Sequence, residues 1–458
     1  MRRGFPLALL AIGLATTLTA GADADTSGSR QTDDAAINRI VRAIQAPSIP
    51  DRDFLVTDFG AVGDGATDAR PGIMAAIAEA AGRGGGRVVL PAGTWLSEGP
   101  VHLRSRIELH LAEGATLLFG SAARDYLPVV PTRWEGTELY GYSPLIYGNN
   151  VHDVAITGKG VIDGNERHEF HGWYDKQSAD QQRLRQMGFT GVPPTERVFG
   201  EGTFLRPSAI QFFHAKRVLL SDYTVHNSPF WINHLVYTDQ ATVRGLNVDS
   251  HRSNNDGVDV DSSRFVLVED NTFRTGDDSV VVKSGRDLDG RTVGRPSEHV
   301  VVRDNDMGGE DGIALGSEMS GDIRHVYFTD NVLRDGASAI RFKGNLDRGG
   351  TVEHIRVRDM TVGSFETLFW FQLDYPGEQG GNYPPVYRDI VFDGFTVDSA
   401  GTVLNAHGPE AVPLRDVTFS DITVKQAEKP LELLNVDGLR FQNVVIGNSR
   451  VDGRLSWQ

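Results

Sequence analysis

The chain has 458 residues, a formal net charge of -16, 52 glycines and no cysteine. That length allows one large core, which must hold together without disulfide staples. The acidic balance excludes a nucleic-acid face, which needs clustered Lys and Arg, but not an acidic sugar, whose carboxylate a few local cations can hold.

In chain order, residues 1–24 carry Arg2 and Arg3, a short apolar run and small residues with A-x-A spacing, the pattern of an export signal. A membrane anchor would need a longer, uninterrupted apolar run, and no later segment has one, so the mature protein is expected to be secreted or periplasmic and free of the membrane. Residues 25–50, rich in Asp, Ser, Ala and Gln, read as a flexible leader with at most one short helix. Residues 51–458 read as one catalytic domain. Within it, RPGIMAAIAEAAGRGGG at 70–86 has Pro71 in the first turn, Ile73 and Ile77 one turn apart, and glycines after the last turn, which marks a helix capping an open sheet end.

The rest of the chain is self-similar. Segments starting at Val154, Val218, Ala241, Val266, Val300, Val326, Ile355, Ile390, Val417 and Leu439 share apolar residues at the start, two residues on and seven residues on. From Val218 the starts lie 23, 25, 34, 26, 29, 35, 27 and 22 residues apart. Such periods signal a solenoid or array. Each copy alternates over only three residues before Asp, Gly or Asn breaks it, so it holds two very short strands and no helix. The fold class is therefore all-β, a single-stranded right-handed parallel β-helix. Asn271, Asn305 and Asn331 recur at one offset and should stack as an amide ladder.

Counted from each copy's start, Asp277 and Asp311 fall at offset 11, Asp278 at 12, Asp256 and Arg341 at 15, and Lys343 at 17. These residues come from successive coils and should share one wall. Carboxylates one strand spacing apart cannot all ionise, so one keeps a raised pKa and serves as a general acid while its neighbours stay anionic. Glycoside hydrolysis needs such a set, and Arg341 and Lys343 suit a sugar carboxylate. Asp259 and Asp261, in SNNDGVDVDSS, read as turn formers. Two alternatives stand beside hydrolysis: clustered Asp oxygens also suit Ca²⁺ in a pectic lyase, though Arg341 and Lys343 oppose a divalent cation, and the solenoid could simply bind polysaccharide.

The residues resemble glycoside hydrolase family 28, the polygalacturonase-like enzymes of pectin breakdown, from about Phe54 to Asp398. DFGAVGDG at 58–65, GGGRVVLPAGTW and NSPFW at 227–231 are similar to its bacterial members. Asn254, Asn255 and Asp256 correspond to the family's Asn-Thr-Asp element, Gly276–Asp278 to Gly-Asp-Asp, Arg341–Lys343 to Arg-Ile-Lys, and Tyr375 to a substrate-contacting Tyr. The resemblance implies an inverting hydrolase of pectic polysaccharide or oligogalacturonide, with Asp277 as acid and Asp256 and Asp278 holding the attacking water. Asn254, Arg341, Lys343 and Tyr375 would contact substrate. It implies no cofactor and no metal, and a monomer is expected. The short carboxylate spacing alone would instead suggest retention.

One motif departs: EDGIALGSE at 310–318 places Asp311 where the family carries His and Glu310 where it carries Gly. Asp311, also counted among the substrate-binding candidates, should raise the acid's pKa or take a proton of its own. Its consequences are an altered substrate such as rhamnogalacturonan, a shifted pH optimum or a weakened enzyme. Finally, the segment between Gly164 and Ser208 is too long for a coil bend. Walling one end of the groove, it would favour exo action, with Trp173 and Tyr174 stacking on sugar; as a plain loop, its aromatics would pack beneath it.

Overall fold

The computed structural model describes residues 26–375 and 377–458, with side chains described from Arg30 onward except that of Tyr375. The proposed export signal lies outside these residues. The described chain winds into a right-handed parallel β-helix whose strands belong to one 31-stranded sheet. Nine of the ten repeat starts pair in one register: Val154 pairs with Val218, and the register continues through Ala241, Val266, Val300, Val326, Ile355, Ile390 and Val417. All nine are buried. Apolar side chains of alternate positions fill the bore, so each coil supplies the core of the next and cannot bury its own face alone.

Each coil from Ile210 to Gly308 holds three strands rather than the two expected, for example Asn233–Val236, Asp239–Arg244 and Asn247–Ser250, and in the later coils they run together into long strands such as Thr351–Tyr375. The extra one was illegible as alternation because polar residues on both its sides are also buried, as in Val258–Asp261. It is the strand that carries the site. The amide ladder forms as expected. Asn271 Nδ2 donates to Asn305 Oδ1 at 2.8 Å and Asn305 Nδ2 to Asn331 Oδ1 at 2.9 Å, while the backbone N–H groups of Asn271 and Asn305 bond to the same oxygens at 3.0 Å.

Residues 25–50 require a correction. Thr26–Ala43 forms an 18-residue helix, α1, docked on the outside of the solenoid. Leu267, Val301 and Tyr327 stack on three successive coils and leave an outward apolar strip, which Ile37 and Ile40 cover. Arg30 bonds Asp393 at 2.5 Å and Asp359 at 3.0 Å. A polar composition concealed a helix that needs only one apolar stripe to dock.

The expected capping helix, α2, spans Arg70–Gly82 and buries Ile73, Ala76, Ile77 and Ala80 over the first coil. Gly72 lets it approach closely, since a Cβ there would lie 2.7 Å from the Ala61 nitrogen of DFGAVGDG. At the far end the stack closes on an antiparallel hairpin of Val436–Ile446 and Ser449–Trp457. Two further helices, α3 (Ser178–Phe189) and α4 (Asp287–Val293), lie outside the bore near the groove.

The ladder is expected to carry measurable stability. Asn305→Ala strands the Asn271 N–H and should cost roughly 1–3 kcal/mol for each buried group left without a partner, read as a lower urea midpoint. An unchanged midpoint would make the stacked amides ornamental.

Candidate active site

Four neighbouring strands build the wall. Val258, Val280, Ile313 and Ile340 stand in register and point into the core, as do Val260, Val282, Leu315 and Phe342. The alternate positions, Asp259, Asp261, Lys283, Arg341 and Lys343, therefore face the other way, into the groove. Asp256, Asp278 and Asp311 enter these strands at adjacent levels, tied by Gly257 N–H to the Asp278 carbonyl and Ser279 N–H to the Asp311 carbonyl, both 2.9 Å. This register corrects the counted offsets: Asp311 stacks on Asp278 rather than Asp277, and Arg341 lies three residues further along the wall than Asp256. Unequal bends between strands caused the slip.

The structure brings together all the groups chosen from sequence whose side chains it describes. Oxygens of Asp256, Asp277 and Asp278 all lie within 4.8 Å of one another. Asp277 is the accessible member, accepting the Asp278 N–H at 3.0 Å and the Asn254 amide at 3.4 Å. Arg206, at the end of the long insertion, holds Asn254 Oδ1 at 2.6 Å and also bonds the Pro229 and Ser253 carbonyls. Lys343 Nζ donates to both Asp278 oxygens at 2.8 and 3.0 Å and lies 3.1 Å from Asp311. Arg341 bonds Asp311 at 3.0 Å and Gln372 at 2.8 Å over the Trp370 ring. The backbone of Tyr375 pairs with Asn345, in the strand next to Lys343.

Asp259 and Asp261 are not turn residues. Both lie in the Val258–Asp261 strand, fully buried, and Asp261 pairs with Arg133 at 3.0 Å and His234 at 3.4 Å. Sequence reading also missed Lys283, Arg286, Glu318 and Arg348. Lys283, over the Trp231 ring, lies 3.3 Å from Glu318 and 3.8 Å from Asp256. Its position ending VVVK, in register with Asp261, was the available signal. Trp173 is not a sugar platform: it packs in the core against Tyr142 and Phe170, whereas Tyr174 is half exposed beside the Arg206 guanidinium.

Burial and mutual repulsion decide the charge states. Burial pushes Asp278 up to about 7, with Asp277 and Asp311 adding to the rise and Lys343 opposing it. Asp256 is raised by burial and by Asp277, Asp259 and Asp278. Asp311 takes no proton of its own. Burial would raise it, but Lys343, Arg341 and a hydrogen bond from Ser338 hold it at about 2. Burial would likewise discharge Lys343, yet Asp278 and Asp311 keep it firmly protonated.

On one side of the carboxylates lies a cavity of about 380 Å³, lined in part by Arg185, Lys283, Arg286, Glu318, Lys343 and Arg348. Three segments meet along its lining. Arg185 of α3 bonds Glu135 at the tip of a hairpin (2.8 Å) and Glu378 of the 377–385 loop (2.9 Å), and Arg286 reaches the same Glu378 at 3.3 Å. Arg341, Asp311, Glu310 and Gln372 flank the carboxylates outside this cavity.

A β-helix with a wall of carboxylates and cations defines a hydrolase of acidic polysaccharide, and comparison with known proteins places it further. Residues 199–451 match the model of glycosyl hydrolases family 28, and residues 54–114 match that of "Rhamnogalacturonase A/epimerase, pectate lyase-like". The chain is 30% identical to a probable polygalacturonase of Vitis vinifera, covering 88% of this chain and 81% of that protein. It is 25% identical to an endo-polygalacturonase of Pectobacterium carotovorum over 70% of this chain and 77% of that one. The structure of a hyperthermoactive exopolygalacturonase from Thermotoga maritima superposes with a TM-score of 0.88 at 38% identity, covering 93% of this chain and all of that one. The chain thus belongs to glycosyl hydrolases family 28. It is a polygalacturonase-like glycoside hydrolase.

The raised Asp278 makes stability depend on pH. An Asp loses its proton near 3.9 when unfolded but near 7 here, so between those values the native state binds more protons. Its contribution is full below pH 4 and is lost as pH rises to 7, with a slope of at most about 1.4 kcal/mol per pH unit for one proton. Urea titrations from pH 4.5 to 7.5 should show this decline, shallower in Asp278→Asn; equal slopes would place the proton elsewhere.

Proposed function

We propose that the protein is an exported pectinase that hydrolyses the α-galacturonosyl linkage at the non-reducing end of pectic chains, releasing terminal galacturonate with inversion. The observation carrying this is the ion-paired wall of Glu135, Arg185 and Glu378 lining the cavity beside the carboxylates, which would stop a chain from running through and leave room for a chain end. Exopolygalacturonase and endo-polygalacturonase relatives both exist, so the wall built from Glu135, Arg185 and Glu378 supplies the argument for exo action. Export rests on the pattern of residues 1–24.

The cavity's cations suit a uronate. Arg286 is almost fully buried, and burial, reinforced by Arg348 and Arg185, lowers it to about 10 despite Glu318 and Asp287. Burial disfavours that charge although Glu318 and Glu378 lie beside it, and a sugar carboxylate would favour it. In the reaction Asp277 donates its proton to the departing glycosidic oxygen. Asp256 and Asp278 orient the attacking water, and one of them takes its proton. Burial and the neighbouring carboxylates keep protons on Asp256 and Asp278 in the free enzyme, and hydrolysis proceeds from the state in which a proton sits on Asp277 instead. Lys283 and Lys343 pin Asp256 and Asp278 in place. Arg206 fixes Asn254, which positions Asp277.

A calcium-dependent lyase would use the same three carboxylates, but Lys343 at 2.8 Å and Lys283 at 3.8 Å place ammonium charge where a divalent cation would sit.

Purified protein given trigalacturonate should release galacturonate from the non-reducing end as the β-anomer, seen by proton NMR before mutarotation. Asp277→Asn should cut kcat by 10²-fold or more, on the order of the loss of a general acid. Internal cleavage, an α-anomer first product, or a chelator-sensitive product absorbing in the ultraviolet would each overturn the corresponding part of this reading.

A further inference from the structure

We propose that the sugar cleaved away from the terminal galacturonate is uncharged, either a neutral sugar or a methyl-esterified uronate. This inference rests on the exo-hydrolase reading, which puts the chain end in the cavity and the departing sugar on the flank bearing Arg341. Two cations, Arg341 and Lys343, are available there to hold a carboxylate. Both are already engaged by the protein's own acids. Arg341 bonds Asp311 at 3.0 Å, and Lys343 lies 3.1 Å from Asp311 and 2.8 Å from Asp278.

Asp311 is 1% exposed and also accepts a hydrogen bond from Ser338. A uronate arriving on this flank would have to compete with it. Displacing Asp311 from Arg341 and Lys343 leaves a buried anion without its counter-charge, while leaving it in place sets two carboxylates against one another. Glu310, exposed on the same turn and raised by partial desolvation and by Asp277 and Asp311, adds a second acid. The flank therefore carries Asp311 and Glu310 against Arg341 and Lys343 and offers an incoming anion no surplus positive charge. A His at 311 and Gly at 310 would leave Arg341 without Asp311 and Lys343 with Asp278 alone. The departure from the family motif thus falls at the position that reads the charge of the leaving sugar.

The test compares kcat/KM at low salt on α-galacturonosyl-galacturonate, the same disaccharide methyl-esterified on its reducing-end carboxylate, and α-galacturonosyl-rhamnose. Wild-type enzyme should favour the better uncharged substrate by about tenfold or more over the acid, the scale of one like-charge encounter. Which one is preferred distinguishes an esterified uronate from a neutral sugar. Asp311→Asn keeps the shape and removes the charge, so the uncharged-to-acid ratio should fall by at least about tenfold; the ratio cancels any common effect on Asp278. Equal or greater efficiency on the acid, or a ratio unmoved in Asp311→Asn, would overturn the inference. Should that variant fail to fold, the wild-type ratio decides. Loss of galacturonate release from all three substrates would refute the exo-hydrolase reading itself, whereas release from the acid alone would refute only this extension of it.

Discussion

Stacking at one strand spacing forces Asp256, Asp278 and Asp311 onto adjacent levels of one wall, with Asp277 beside them, and nothing in the backbone can relieve the resulting repulsion. It is met by retained protons and by ammonium and guanidinium groups threaded between the carboxylates. Lys283 answers Asp256 and Glu318, Lys343 answers Asp278 and Asp311, and Arg341 answers Asp311. The proposed roles of Asp277 as acid and of Asp256 and Asp278 in holding water rest on how that compensation is distributed.

The rigidity needed for this distribution comes from the solenoid. A charge lattice of buried groups is worth little if its members wander, because a small loss of geometry leaves desolvated ions unpaired. Here each charged side chain projects from a strand hydrogen-bonded to its neighbours, with Val, Ile and Phe of the alternate positions locked in the bore. The Asn271–Asn305–Asn331 ladder fixes the turns on another corner of the same coils. Stability and chemistry therefore share residues of opposite parity on the same strands.

The groove's ends are set by parts outside the repeat. The hairpin carrying Glu135, helix α3 with Arg185 and the loop carrying Glu378 come from three separate regions and are joined at Arg185 by ion pairs, with Leu139 and Leu184 packing the hairpin against α3. An open trough running along a β-helix would suit a polymer bound in its middle, and the proposed exo action rests on this three-cornered ion pair in the cavity lining. The long insertion also contributes inward: Arg206, at its end, spans the Pro229, Ser253 and Asn254 segments and so links the wall to the acid.

How much was legible can be judged from particular residues. The spacing of Val154 through Leu439 was enough to determine the solenoid, because a repeat whose apolar face needs a neighbour has only stacking as a solution. The motifs at Asn254–Asp256, Gly276–Asp278 and Arg341–Lys343 named the wall. The sequence could not reveal that Asp259 and Asp261 are buried strand residues, since Asp beside Gly looks like a turn until a Lys or Arg from another coil neutralises it. Nor could it reveal α1's docking, Trp173's burial or the one-residue shift that puts Asp311 on Asp278 rather than Asp277. Each of these depends on what a side chain meets across the bore or from a distant segment, and only the three-dimensional register of coils of unequal length decides that.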